Sequence, residues 1–408
     1  MVTIRYTVRL FVKLSAFMRL VFLISISLGL FPNVTYADEL SKEPVIIGID
    51  ADFSAVAIDG GIAIRRGTEL AVEMINQSGG LLGHPLVIIA KDHRGNPARG
   101  IHNINTFATI DNLVAVLGGV HTPVALAELD TIHENNLLYL GPWAAGTPLV
   151  DNGFSPNNVF RVSLRDAEAG KVLIDHAKKR GLKRVTLVLE RTGWGRSNEA
   201  SLTQAARDAG LFIDAIHWIN WQQKSFEDTL KIIQASDTDG IILVANAPEG
   251  AVVVNGMVTL DMLSVPIISH WGIASGNFIE RIAVKPDNLD IAVLQTFHFE
   301  HNDTSQAKML FEAYKAKYGA TDINSVPAAV GVAHAYDLVQ MLAIAVKSAN
   351  SFDTNNVRTA LENIASYHGV VKHYEQPFSA SQRDALLSHD YFMASFDASG
   401  NIIVTEPN

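Results

Sequence analysis

After Asp38 the chain alternates short apolar runs with amphipathic stretches. The runs at 45–49, 86–90, 113–117 and 137–140 are mostly Val, Ile and Leu, without polar alternation. Such runs predict strands buried on both faces, as in a parallel sheet covered by helices. Between them, 65–77, 97–110 and 124–135 read as helices. In the first, Leu70, Met74 and Ile75 share one face, and Gly79 and Gly80 stop it. The rhythm restarts after Phe160. Helices are expected at 166–180, 198–209, 226–235 and 248–257, and strands at 184–189, 212–217, 241–245, 266–269 and 291–294. The tail adds helices at 306–318, 330–348 and 354–364 and a strand-like end at 391–405. The pattern predicts two α/β lobes, each a doubly wound parallel sheet, with no long linker and no internal repeat.

Residues 1–37 stand outside this pattern. Arg5, Arg9, Lys13 and Arg19 occur there with no acid, followed by the apolar run 20–31 and the small residue Ala37. A basic segment, a short apolar segment and a small residue at the cut predict a cleavable secretory signal. Met18 is an alternative start. The apolar run is short for a membrane span, which needs about 20 residues, so a retained anchor is the lesser reading. Cleavage leaves 28 basic residues against 42 acidic ones, a net charge of −14, and no later run of 18 apolar residues. The expected product floats free in a periplasm.

Composition narrows the function. Of 408 residues, 48% are apolar and 18% charged, which gives a large core and excludes a disordered chain. The acidic balance argues against coating nucleic acid or anionic lipid. There is no Cys, so disulfides, thiolate metal sites, a Cys nucleophile and a lipidated N-terminal Cys are all excluded. No dinucleotide fingerprint, P-loop, zinc-protease helix or nucleophile elbow is present, and no cofactor or metal is expected.

Ligands of open parallel sheets sit at the carboxyl ends of strands. The stretches to inspect are therefore 50–54, 118–123, 141–147, 191–196, 246–249 and 270–276. Asp50 and Asp52 could hold a cation or a ligand amine; the plainer expectation is that one caps its loop and the other is solvated. His298 and His301 read as loop histidines rather than metal ligands. His121 and Thr122 offer a base beside a hydroxyl, but no third residue to orient them is visible.

Further residues carry a resemblance. The chain has Ile46-Ile-Gly-Ile-Asp50, Gly67-Thr-Glu-Leu-Ala-Val-Glu-Met-Ile-Asn76, Gly79-Gly-Leu-Leu-Gly83, Lys91-Asp92 and Asn96-Pro97. It continues with Val116-Leu-Gly-Gly119, Phe160-Arg161, Gly193-Trp-Gly195, Ala335-Tyr-Asp337 and Arg383-Asp384. Over about 44–403 it resembles the periplasmic leucine/isoleucine/valine-binding proteins of ABC importers. The resemblance implies a type I clamshell with a three-crossing hinge that closes on a small ligand. The expected first lobe is 38–164 with 295–375, and the second 165–294 with 376–408. Crossings are expected near Leu164, Leu294 and Glu375.

By the same resemblance, Thr122 and the turn Trp143-Ala144-Ala145-Gly146-Thr147 take the ligand's carboxylate. Trp194 stacks on the ligand from the second lobe. Two departures stand out. Where the family grips an ammonium with an acid, this chain has His270-Trp271-Gly272, and a small turn residue is replaced by Trp143. The expected pocket is aromatic-walled, suits an aromatic or apolar acid, and uses His270 as a hydrogen-bond donor. His121, Asp52 and Glu249 are further candidates. An amino acid fits instead if Asp50, Asp52 or Glu249 supplies the missing charge. The expected protein is a monomeric binding protein that delivers its ligand to an ABC permease in the inner membrane and binds no nucleic acid. The alternatives are a sensing subunit of a signalling receptor, a repressor and an enzyme.

Overall fold

The structure, a computed structural model, describes residues 42–302 and 304–404. The expected signal segment lies outside the described residues. The first lobe opens with β1 (Val45–Ala51), α1 (Ile58–Gln77), β2 (Leu86–Asp92), α2 (Pro97–Phe107), β3 (Leu113–Leu117), α3 (Thr122–Glu134), β4 (Tyr139–Gly141) and β5 (Val159–Arg161). Its strands form one parallel sheet in the order β2-β1-β3-β4-β5. Every residue of central β1 is buried, whereas edge strand β2 is partly open.

The chain then builds α4 (Asp166–Lys179), β6 (Arg184–Glu190), α5 (Gly193–Ala209), β7 (Phe212–Ile219), α6 (Glu227–Gln234), β8 (Gly240–Val244), α7 (Ala247–Thr259), β9 (Ile267–Ser269), α8 (Phe278–Arg281) and β10 (Ile291–Gln295). It returns to the first lobe for α9 (Ser305–Tyr318), α10 (Ala329–Ala349), α11 (Thr354–Glu362) and a hairpin of β11 (Ser366–His368) and β12 (His373–Glu375). Finally β13 (Phe392–Phe396) and β14 (Ile402–Val404) join the second sheet, whose order is β14-β13-β10-β9-β8-β6-β7. The expected strand at 391–405 is thus a hairpin, with β13 antiparallel to β10.

Helix α1 begins seven residues early, at Ile58 rather than 65. Gly60 and Gly61 lie inside it. A Cβ on Gly61 would stand 2.0 Å from the Asp52 carbonyl oxygen, so only glycine fits there. The same holds where α1 crosses α10: a Cβ on Gly67 would stand 2.2 Å from the Val332 carbonyl. Helix α10 has the length and apolarity of a membrane span, but it is the buried core helix of this lobe. Its Asp337 accepts the N–H groups of Val370 (2.8 Å) and Val371 (3.0 Å) and the hydroxyls of Tyr374 (2.9 Å) and Tyr367 (3.2 Å), which pins the β11–β12 hairpin.

Arg161, fully buried at the end of β5, ties three segments together. Its Nη1 donates to the carbonyls of Ala144 (3.0 Å) and Gly146 (2.9 Å), and its Nε to Asp384. Its own backbone pairs with Arg383 and Ala385. The chain at 383–385 therefore runs beside the end of β5.

Candidate functional site

The loop after β1 is built on Asp52. Its Oδ1 accepts the N–H groups of Ser54 (3.2 Å) and Ala55 (2.8 Å), and its Oδ2 those of Val56 (2.8 Å) and Ala57 (3.0 Å). His121 Nε2 lies 2.9 Å from the same Oδ2. Burial alone would raise this carboxyl, but the hydrogen bonds from His121, Ala57 and Val56 outweigh it and hold the carboxyl far below the usual range. Asp52 is thus the cap expected of the pair, and it also orients His121, a partner that the sequence did not reveal.

Asp50 corrects the other half of that expectation. It is buried rather than solvated, because its side chain turns toward α2 and α3. Asn103 donates to it at 2.7 Å, and Glu128 is its other neighbour. Burial pushes both carboxyls up, so the pair retains a proton, and neither residue lines the cavity between the lobes.

In the first lobe, Thr122 opens α3, and its Oγ1 accepts the Gly146 N–H at 3.1 Å. The facing turn is held from behind, by Arg161 on two of its carbonyls and by Ser163 Oγ on the Trp143 carbonyl at 2.5 Å. The Trp143 ring packs over Gly331 of α10, within 2.9 Å of where a Cβ would be. Ala144 does not face the cleft: its methyl joins the core between α2 and α3. Thr147 is also engaged elsewhere. Its Oγ1 accepts the Ala167 N–H at 2.9 Å, and its N–H donates to Ser197 Oγ of the second lobe at 3.1 Å.

In the second lobe, Trp194 sits in the first turn of α5, which begins earlier than the expected 198. Its Nε1 donates to Asp166 Oδ1 at 3.3 Å. His270 Nδ1 accepts the Trp271 N–H at 2.9 Å, which leaves the ring proton on Nε2, 3.2 Å from the same Asp166 oxygen. His270 thus positions Trp271, while its Nε2, close to Asp166, has no hydrogen-bond partner among the described residues. Trp271 meets Trp143 of the first lobe with ring centroids 5.0 Å apart and planes tilted by 34°.

These residues converge on one small cavity between the lobes. Thr122, His121, Trp143 and Ala145 line it from the first lobe, and Trp194 and Trp271 from the second. Its volume is about 10 Å3, room for about one water molecule and not for a ring or a branched chain. The aromatic side chains thus fill the closed cleft rather than merely wall it. Asp52 stands behind His121. Glu249 stands outside the lining, its Oε1 accepting the Gln222 N–H at 2.9 Å.

One lining residue lies outside the stretches singled out from sequence, Glu190, and it holds Asn246, which lies inside them. Glu190 Oε1 accepts the backbone N–H of Asn246 (2.6 Å) and its Nδ2 (2.8 Å), and Oε2 accepts Trp221 Nε1 (2.6 Å). Burial, then the charge of Glu249, push this carboxyl up to about 8. The signal was a lone acid ending the apolar run 184–189, one residue before the stretch singled out for inspection. Among the described residues no group of three His, Asp or Glu stands together as a metal site, and His298 is buried rather than in an open loop.

Known proteins match this chain in sequence and in fold. The periplasmic binding protein family model matches residues 44–401. Leu/Ile/Val-binding protein homolog 3 of Brucella melitensis is 25% identical over 326 residues, covering 79% of this chain and 82% of its own. A type 1 periplasmic binding protein of Bordetella pertussis superposes with a TM-score of 0.81 at 23% identity, over 90% of this chain and all of that one. A Rhodopseudomonas palustris ABC-transporter solute-binding protein, solved with 4-hydroxybenzoate, gives 0.74 at 15% identity, over 90% and 96%. At those identities the structural likeness is one of fold. The relatives are solute-binding proteins and not enzymes, and this chain belongs to the periplasmic binding protein family.

Proposed function

We propose that the protein traps a small carboxylate-bearing solute between its lobes, in the space outside the inner membrane, and presents it to the permease of an ABC importer. The observation that carries this reading is the meeting of Thr122 and the N-terminus of α3 with Trp143, Trp194 and Trp271 at one point between the lobes. The Thr122 hydroxyl accepts from Gly146 and keeps a proton to donate, and a helix N-terminus favours an anion. The aromatic rings favour an aromatic or apolar body. Because the closed cleft holds about one water, entry requires the lobes to part and the rings to shift. A ligand touching both lobes then favours re-closure through its differential affinity.

Glu190 favours a second reading, an amino acid. It is the carboxylate in the lining, and with Glu249 behind it could take an ammonium. Asp50 and Asp52 are already committed to other partners. Against this, Glu190 already accepts three N–H groups, and its raised pKa keeps it largely protonated near neutral pH.

A thermal-shift panel on the mature protein, freed of carried-over ligand by unfolding and refolding, separates the readings. One arm holds leucine and phenylalanine. The other holds 4-methylpentanoate, 3-phenylpropanoate and benzoates. A ligand at about 100 times its Kd stabilises by about 2.7 kcal/mol. Shifts confined to the amine-free arm support the main reading. Shifts from leucine or phenylalanine that Glu190→Gln abolishes overturn it in favour of the amino acid.

A further inference from the structure

A second, larger cavity of about 310 Å3 lies away from the cleft, on the flank of the crossing after β10. That is within the volume range of small-molecule sites, about 300–1,000 Å3. The first lobe contributes Asp59 of α1 and the segment 323–330; the second contributes 273–280 and the β13–β14 turn. Gln295 at the end of β10, with Phe297 and His298 just after it, completes the lining.

Three observations specify its chemistry. Phe278, Phe297, Val326 and Val330 give it apolar walls. Asp59 from one lobe and Glu280 from the other supply two carboxylates, and no Lys or Arg stands in the lining. Burial and the charge of Glu280 raise the Asp59 carboxyl although the charge of Arg66 opposes them, so a cation between the two carboxylates relieves what repulsion remains. Third, the lining residue Gln295 is buried and its Nε2, a hydrogen-bond donor, has no partner among the described residues, so it is free to meet an acceptor on the body of an occupant rather than its ammonium.

We infer that this cavity is a second ligand site, for a small organic amine with an apolar body, its ammonium between Asp59 and Glu280. The site is coupled to the cleft through one turn of chain. In the 3-10 turn Trp271–Ser275, Trp271 lines the cleft while Ile273 and Ala274 line the cavity. An occupant touches both lobes and the crossing, so its affinity depends on lobe angle, and by linkage it shifts the affinity of the cleft for its own ligand. Occupancy of the cavity is independent of what the cleft takes; the coupling alone rests on the closure proposed above.

The test uses 2-(4-fluorophenyl)ethylamine, followed by fluorine NMR on the mature protein, with 2-(4-fluorophenyl)ethanol as the uncharged control. The amine should bind and the alcohol bind at least about tenfold more weakly. Asp59→Asn with Glu280→Gln should weaken the amine by a similar factor. Neither side chain is fully buried, so the fold should survive. Ala329→Trp, which fills the cavity, should abolish binding, while Asp228→Asn on the exposed surface of α6 should leave it unchanged. No binding of the amine at millimolar concentration, equal binding of the alcohol, or indifference to the carboxylate pair overturns the site. Amine binding that leaves the cleft's affinity for its own ligand unchanged overturns the coupling and keeps the site.

Discussion

Thr122 is the residue on which the site turns. Its hydroxyl satisfies the buried Gly146 N–H and is the donor offered to a carboxylate. Thr122→Val keeps the shape and removes both roles. It should cost about 1–3 kcal/mol of stability, the usual price of a buried unsatisfied amide, and weaken ligand binding, as read by urea unfolding and titration calorimetry. Loss of stability without loss of affinity would move the carboxylate elsewhere. Glu190 makes a pH prediction. Between the ordinary glutamate range and about 8, folded Glu190 holds a proton that the unfolded chain has released. Stability therefore falls as pH rises through that window. Glu190→Gln carries a constant cost, since an amide cannot accept every N–H that Glu190 does, but it loses the pH-dependent fall. The gap between wild type and variant should narrow from pH 5 to pH 8.5. A constant gap would mean that Glu190 is ionised throughout.

At the scale of elements, small residues set how closely helices approach. Gly67 lets α1 lie against the Val332 carbonyl of α10. Gly67→Ala keeps helix propensity and adds one methyl where none fits. It should destabilise by about 1–3 kcal/mol, as overpacking of a core does; a denaturation midpoint equal to wild type would show that the two helices can part at no cost. The same packing explains what was legible in the sequence. The central strands and long helices of both lobes follow from apolar period alone. The start of α1 did not, because Gly60 and Gly61 interrupt the apolar period there, and their fit against Val120 and Asp52 is a matter of tertiary packing. Strand β5, the hairpin β11–β12 and the short α8 are three or four residues each, too short to carry a period.

At the scale of the molecule, the lobes meet through Trp143 on Trp271 and Thr147 on Ser197. Two indoles with centroids 5.0 Å apart give a strong near-ultraviolet circular-dichroism signal. Opening should reduce it, and a cleft ligand should alter it together with a fall in radius of gyration by small-angle X-ray scattering. A ligand that binds while leaving both observables unchanged would argue against closure as the response.

The sequence by itself determined the α/β class, the two lobes, the likeness to Leu/Ile/Val-binding proteins and the post-strand stretches where Thr122, Trp143, Trp194 and Trp271 lie. Those follow from local period and from the rule that ligands sit at strand ends, and both can be read along one dimension. Only the tertiary structure decided which of those residues face the cleft. Ala144 turns into the core, His270 toward Asp166, Asp50 toward Glu128, and Glu190 into the cleft. A side chain's direction depends on partners 20 to 200 residues away, whose distance along the chain says nothing of their distance in space.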